Sequence, residues 1–250
     1  MTELSGKVAL ITGASRGIGY GVAEALVARG DKVAITGRNE DALKEAVERL
    51  GADRAIGIPG KAHDEAHQAA AVERTMEAFG RVDFLVNNAG TNPVFGPIAD
   101  VDLAVARKVF ETNVISALGF AQQTWKAWQS EHGGAIVNIA SVAGVSASPF
   151  VGVYGVSKAA MINLTEQLAH EFAPRVRVNA IAPAVVKTKF ATALYEGREE
   201  EVASRYPMGR LGVPADIGAA AAYFTSDGAE WITGQTLVAD GGLFLNAGVA

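Results

Sequence analysis

"VALITGASRGIG", residues 8–19, sets an apolar run directly against a glycine-rich turn, and an apolar-periodic segment follows. The run reads as a buried strand and the segment after it as a helix. Gly13, Gly17 and Gly19 give the spacing G-x-x-x-G-x-G. Missing side chains let the backbone turn tightly and let a pyrophosphate approach the helix N-terminus, whose free N–H groups and dipole favour anions. Glycines alone could make only a turn. Here a strand precedes them, a helix follows, and a second apolar run comes next at Lys32–Thr36, so the position is that of a dinucleotide-binding turn.

The same alternation continues along the chain. Strand-like runs stand at Lys7–Thr12, Lys32–Thr36, Arg54–Ile58, Val82–Val86, Ala135–Ile139, Arg177–Ile181 and Thr236–Val238. Amphipathic helices are predicted near 17–29, 39–50, 64–79, 102–130, 153–173 and 214–226. The strands are near-continuously apolar, as in a parallel sheet covered on both faces. The expected fold class is therefore α/β: a single-domain Rossmann fold over residues 1–250, with a doubly wound parallel sheet of about seven strands and helices on both faces. The pattern lapses between roughly 184 and 213, where "KTKFATALYEGREEEVASRYPMGR" mixes aromatics with charge; a helical substrate lid is expected near 187–210.

Composition narrows the function classes. The chain has 250 residues, 49% of them hydrophobic, which excludes disorder and allows one sizeable core. No apolar stretch approaches the roughly 18–20 uncharged residues of a membrane span. The N-terminus reads as no signal peptide and the final "LNAGVA" as no peroxisomal address. Cysteine is absent, which rules out disulfides, thiolate nucleophiles and cysteine-ligated zinc. A net charge of −5 with scattered signs suits neither nucleic acid nor an anionic membrane. A cytoplasmic location is expected.

The second strand ends "AITGRNE". An NAD site usually has an acid about 20 residues beyond the glycine turn, accepting from the ribose 2′-OH. Gly37 stands there instead, Arg38 follows, and Arg16 projects from the turn. Two guanidiniums suit a 2′-phosphate, so NADP(H) is favoured over NAD. In the alternative reading Arg38 only caps the strand, and Glu40 or Asp41 reaches the ribose.

"VYGVSKAA", 153–160, puts Tyr154 and Lys158 on one helix face, about a turn apart. One reading is a half-buried tyrosine beside a snorkelling lysine. The other is an acid/base pair in which the ammonium lowers a phenol pKa of about 10 towards neutrality. Ser141 lies just past the fifth strand, at the carboxyl edge where such sheets bind ligands, and its hydroxyl could hold a substrate oxygen. The plain reading of Ser141 is a hydroxyl bonded to its own backbone.

"TGASRGIG" at 12–19, "NNAG" at 87–90, Asn113, Ser141 and "YGVSK" at 154–158 together resemble the short-chain dehydrogenase/reductase family, from Leu4 to Gly242. The resemblance implies an NADP(H)-dependent oxidoreductase that interconverts a ketone and a secondary alcohol, with Asn113, Ser141, Tyr154 and Lys158 as the catalytic set. Asn113 would hold a relay water behind the lysine, and Lys158 would also bond the nicotinamide ribose. Cofactor contacts would come from Gly13, Ser15, Arg16, Gly17, Ile18, Gly19, Arg38, Asn88, Ala89, Gly90, Val114, Tyr154, Lys158, Val186 and Thr188. Two departures stand out. Pro183-Ala184 replaces a usual Pro-Gly, which would strain the backbone if φ were positive there, and "GIPGKAHDEA" lacks the usual adenine-binding aspartate.

Other sites are weaker. His63 and His67 have i, i+4 spacing, but Asp64 stands where H-E-x-x-H needs glutamate; exposed histidines at a helix start, with no metal, are expected. "IASVAG" is not a nucleophile elbow. Trp125, Trp128 and Trp231 are expected in the core or an interface. Phe95, Phe150, Phe190, Leu194 and Tyr206 are the expected walls of a partly apolar substrate pocket. The overall pattern is similar to 3-oxoacyl-[acyl-carrier-protein] reductases and to NADP-dependent carbonyl reductases, which implies a small or acyl-thioester carbonyl substrate. Glu131-His132-Gly133 stands where docking of an acidic carrier protein wants a cation, leaving Arg175. A homotetramer is implied, with a homodimer as the smaller option. The alternatives are an NAD-linked secondary-alcohol or polyol dehydrogenase, or a non-catalytic nucleotide sensor on the same fold.

Overall fold

The computed structural model describes residues 6–246; Leu4, where the family resemblance begins, and the last residues of "LNAGVA" lie outside them. Seven parallel strands form one sheet: β1 (Val8–Ile11), β2 (Lys32–Gly37), β3 (Ala55–Pro59), β4 (Phe84–Asn87), β5 (Gly134–Ile139), β6 (Val176–Pro183) and β7 (Thr236–Ala239). Their order is β3-β2-β1-β4-β5-β6-β7, so the winding reverses between β1 and β4. That switch opens a crevice at the carboxyl edge, where doubly wound sheets bind ligands.

The apolar runs have a simple cause. Along β1, Ala9 and Ile11 face one core and Leu10 the other; along β5, Ala135, Val137 and Ile139 face the first and Ile136 the second. Both faces are covered, so positions on either side of the strand are predominantly apolar. The first core is closed by α1 (Gly17–Ala28), α2 (Glu40–Leu50) and α11 (Pro214–Phe224). The second is closed by α3 (Glu65–Phe79), α5 (Ser116–Thr124) and α8 (Gly152–Phe172).

The single helix expected near 102–130 is interrupted twice. It runs as α4 (Leu103–Phe110), a π turn (Glu111–Ile115), α5, a second π turn (Trp125–Gln129) and α6 (Ser130–His132). Each π turn inserts a residue and re-aims the side chains on it. The first carries Asn113, fully buried. The second carries Trp125, stacked on Phe172 at 4.3 Å, and Trp128, stacked on His132 at 3.6 Å. Trp231 is not in the core: it is 99% exposed. The lid region contains α9 (Thr192–Tyr195) and α10 (Glu199–Ala203), and α7 (Val142–Val145) caps the end of β5.

The N-terminal part of α1 is held by close packing on α11. A Cβ on Gly218 would lie 2.4 Å from the Gly21 carbonyl oxygen, and one on Gly21 would lie 2.6 Å from Pro214 Cβ. Gly218→Ala gains about 1 kcal/mol of helix propensity but forces the helices apart, so a net loss of ~1–3 kcal/mol is expected in urea unfolding. An unchanged midpoint would refute this account of the packing.

Candidate active site

The glycine turn is built as its sequence requires. Gly13 (φ +63°) and Gly17 (φ +62°) occupy the left-handed region that side chains resist. Gly19 is needed for a different reason: its Cβ would come 2.5 Å from the Asn88 amide nitrogen. That amide donates to the carbonyls of Thr12 (2.9 Å) and Gly13 (3.0 Å), and the Thr12 hydroxyl accepts from the backbone N–H groups of Asn88 and Ala89. "NNAG" thus clamps the turn from the next strand. Asn87, the first residue of that motif, donates to Asn138, which donates to Thr165 on α8, a buried polar chain tying the sheet to that helix.

The residues fit a dinucleotide. At the start of α1 the Arg16 side chain makes no capping bond and the first turn holds no acid, so the helix N-terminus is open to an anion. Gly37 sits against Ser15, where a Cβ would be 3.3 Å from the hydroxyl, which brings the turn beside Arg38. Arg16 and Arg38 are exposed and form no ion pair among the described residues. Glu40 and Asp41 lie in the first turn of α2, where they complement the helix dipole. Ile18 points into the first core, so only its main chain faces the turn.

Thr188 packs its methyl 3.4 Å from the Cβ position of Gly17, bringing the segment after β6 onto the turn. Val186 is buried and bridges Gly212. Ala184 is unstrained, because among the described residues only Phe150 has positive φ without being glycine. The concern raised by the missing Pro-Gly therefore falls away.

Ser141 caps α7, its hydroxyl accepting from Ala143 N at 3.2 Å, and it also hydrogen-bonds the Tyr154 phenol. Its hydroxyl is thus bonded to its own backbone, as in the plain reading, and stands beside the phenol as well. Tyr154 and Lys158 share the first turns of α8, with the ammonium 5.7 Å from the phenol ring centre. Lys158 is 3% exposed and donates to the Ile139 carbonyl at 2.7 Å. Gly90 leaves room for it: a Cβ there would be 3.6 Å from Nζ. Asn113 accepts from Thr91 N and donates to Thr91 O and to Ser157 Oγ. Both of its amide N–H groups are thus used, while Oδ1 accepts one bond and keeps a second lone pair. Val114 is half-buried on the same π turn.

The electrostatics correct one expectation. Burial pushes the phenol up to about 12, with the Ser141 hydrogen bond pulling the other way. Burial also lowers the Lys158 ammonium to about 8. Desolvation sets the direction, and the neighbouring ammonium is aimed at a carbonyl and lies over the ring face.

Other expectations meet mixed outcomes. Phe95 and Phe150 pair at 5.4 Å between ring centres, and Phe190 lies 6.2 Å from Tyr154; all three rings are more than half exposed. Leu194 is exposed on α9. Tyr206 is instead buried in a small cluster with Val202 and Leu211, its hydroxyl accepting from Val185 N. His63 is exposed, but His67 is buried against Phe120, and the described residues hold no cluster of three or more metal-binding groups. Asp64 caps α3 and is taken up there. Asn138 and Thr165 were missed; polar residues inside a strand and a helix gave the only signal.

The fold is a doubly wound parallel sheet, and a serine, a tyrosine and a lysine converge at its carboxyl edge beside the end of β5. The family model "Enoyl-(Acyl carrier protein) reductase" matches residues 13–244. "Dehydrogenase/reductase SDR family member 4" of Caenorhabditis elegans is 38% identical, over 96% of each chain. "3-oxoacyl-[acyl-carrier-protein] reductase FabG" of Salmonella typhimurium is 36% identical, over 97% of this chain and 99% of the other. A crystal structure titled "Short-chain dehydrogenase/reductase SDR:Glucose/ribitol dehydrogenase" from Brucella melitensis superposes with a TM-score of 0.92 at 29% identity, covering 96% of this chain and 98% of that one. The chain belongs to the short-chain dehydrogenase/reductase family, oxidoreductases that use nicotinamide cofactors. No helix among the described residues is long and apolar enough to cross a membrane.

Proposed function

We propose that the protein is an NADP(H)-dependent reductase of apolar ketones, working reversibly on the corresponding secondary alcohols. The observation that carries this reading is the Tyr154 phenol, hydrogen-bonded to Ser141 beside the buried Lys158 ammonium. A nicotinamide nucleotide bound in the crevice supplies the hydride. Ser141 holds the carbonyl oxygen, and Tyr154 gives its proton to that oxygen as the alkoxide develops. With its pKa near 12, the phenol is fully protonated at neutral pH and remains far more acidic than an alkoxide's conjugate acid. Lys158 stabilises the phenolate that remains, and Asn113 positions Gly90-Thr91 and the first turn of α8. Residues 187–210 act as the lid.

NADP(H) is supported by the unpaired Arg16 in the glycine turn and Arg38 just past β2, which suit a 2′-phosphate. The exposed Glu131 speaks against an acidic carrier-protein partner. A cytoplasmic homotetramer fits the apolar side chains left exposed on α8 (Val156) and around β7 (Tyr223, Trp231, Leu237).

A ketone panel with NADPH and NADH, read alongside fluorescence titration of each nucleotide, tests the assignment. Arg38→Asp is expected to weaken NADPH binding by about 10–100-fold, as for loss of a charge-assisted hydrogen bond, and to leave NADH within about twofold. An unaltered NADPH:NADH preference refutes the role of Arg38. A wild-type preference for NADH favours the secondary-alcohol or polyol dehydrogenase.

A further inference from the structure

Phe150 is the only non-glycine residue with positive φ among the described residues, at +64°. A side chain in the left-handed region costs on the order of 1 kcal/mol, more for a bulky one, and such strain persists only where surroundings enforce it. The expected compensation, a buried ring, is missing: Phe150 is 53% exposed. The ring pairs only with that of Phe95, itself 68% exposed. Main-chain contacts hold the arrangement, because Gly96 N donates to the Phe150 carbonyl at 2.9 Å. A Cβ on Gly152 would meet Ile98 at 2.9 Å, so the loops before α4 and α8 are pressed together there.

The location gives the strain a use. Phe150, Val151, Gly152, Val153 and Tyr154 line one wall of a narrow cleft, and Val101, Val105 and Val109 line the other. Tyr154 itself is among the lining residues, and none of them is charged. The Phe190 ring lies 6.2 Å from that of Tyr154. We propose that Phe150 is a specificity-determining residue: its enforced backbone holds an aromatic wall, shared with Phe95, that selects ketones bearing a bulky apolar substituent. The assignment rests on the reading of Tyr154 as the proton donor to a ketone.

Glycine separates the ring from the backbone, because it accepts φ +64° without strain. The experiment compares wild type, Phe150→Gly and Phe95→Ala on two ketones, a four-carbon dialkyl ketone and an aryl alkyl ketone, with thermal unfolding of each protein. Phe150→Gly is expected to keep or raise the melting temperature while kcat/KM for the aryl ketone falls at least about tenfold; the small ketone stays within about twofold. Phe95→Ala, which changes no strained backbone, should move the same ratio in the same direction. If Phe150→Gly and Phe95→Ala both leave the aryl:dialkyl ratio within twofold of wild type, the assignment is overturned while ketone reduction stands. If wild type turns over neither ketone with either nucleotide, the underlying reading fails and takes the assignment with it.

Discussion

Tyr154→Phe is expected to lose about 10²–10⁴ in kcat for ketone reduction while binding the nucleotide with nearly unchanged affinity. The substitution removes one oxygen from a ring that keeps its place against Phe190 and Lys158. The fold therefore stays, and the proton source goes. The direction of reaction adds a second readout. With the phenol pushed up to about 12 and the Lys158 ammonium charged below about 8, reduction should be nearly flat from pH 5 to 7. Alcohol oxidation needs the phenolate as base, so its rate should climb about tenfold per pH unit over that range. Steady-state rates in both directions, with a nucleotide titration of the variant, check all of this. A variant that retains most of its turnover, or an oxidation rate indifferent to pH, would assign the chemistry to another group. A protein whose biological readout survives the substitution would be a nucleotide sensor.

What the sequence made legible follows from which constraints are local. A glycine with positive φ, an apolar run covered on both faces and two side chains one helical turn apart are short-range facts, and the fold with its Ser141-Tyr154-Lys158 set rests on them. Boundaries differ by a residue or two because helix and strand ends fray. The π turn at Glu111–Ile115 is another matter. Nothing in "ETNVI" marks it, since its reason lies in Thr91 and Ser157, to which Asn113 must turn. His67 looked exposed because its neighbours are polar, yet the helix face it occupies meets Phe120 across the chain. The error over the phenol is the most instructive. Sequence gives the neighbour's charge, whereas the burial that raises the phenol belongs to the folded state.

That burial also bears on Lys158, and Lys158→Met should make the protein inactive and more stable at once. The ammonium ordinarily titrates at 10.5 and is lowered to about 8 by burial. Below pH 8 both folded and unfolded states carry the charge, and the folded state bears its desolvation, on the order of 3 kcal/mol. Between about 8 and 10.5 the unfolded chain binds a proton that the folded one has released, so wild-type stability rises with pH across this window. Methionine fills similar volume without charge but forfeits the hydrogen bond to Ile139, about 1 kcal/mol. At pH 7 the variant should gain about 2 kcal/mol, a rise of roughly 4–8 °C in Tm for a domain of this size. By pH 10 the advantage should be gone, leaving the lost hydrogen bond. Denaturant unfolding of both proteins at pH 7 and pH 10 measures the difference. A variant less stable than wild type at pH 7, or a gap independent of pH, would mean the lysine is held uncharged or well solvated. It could then not serve as the cation beside the phenol, and the stability given up at this position would lack the catalytic return that explains it.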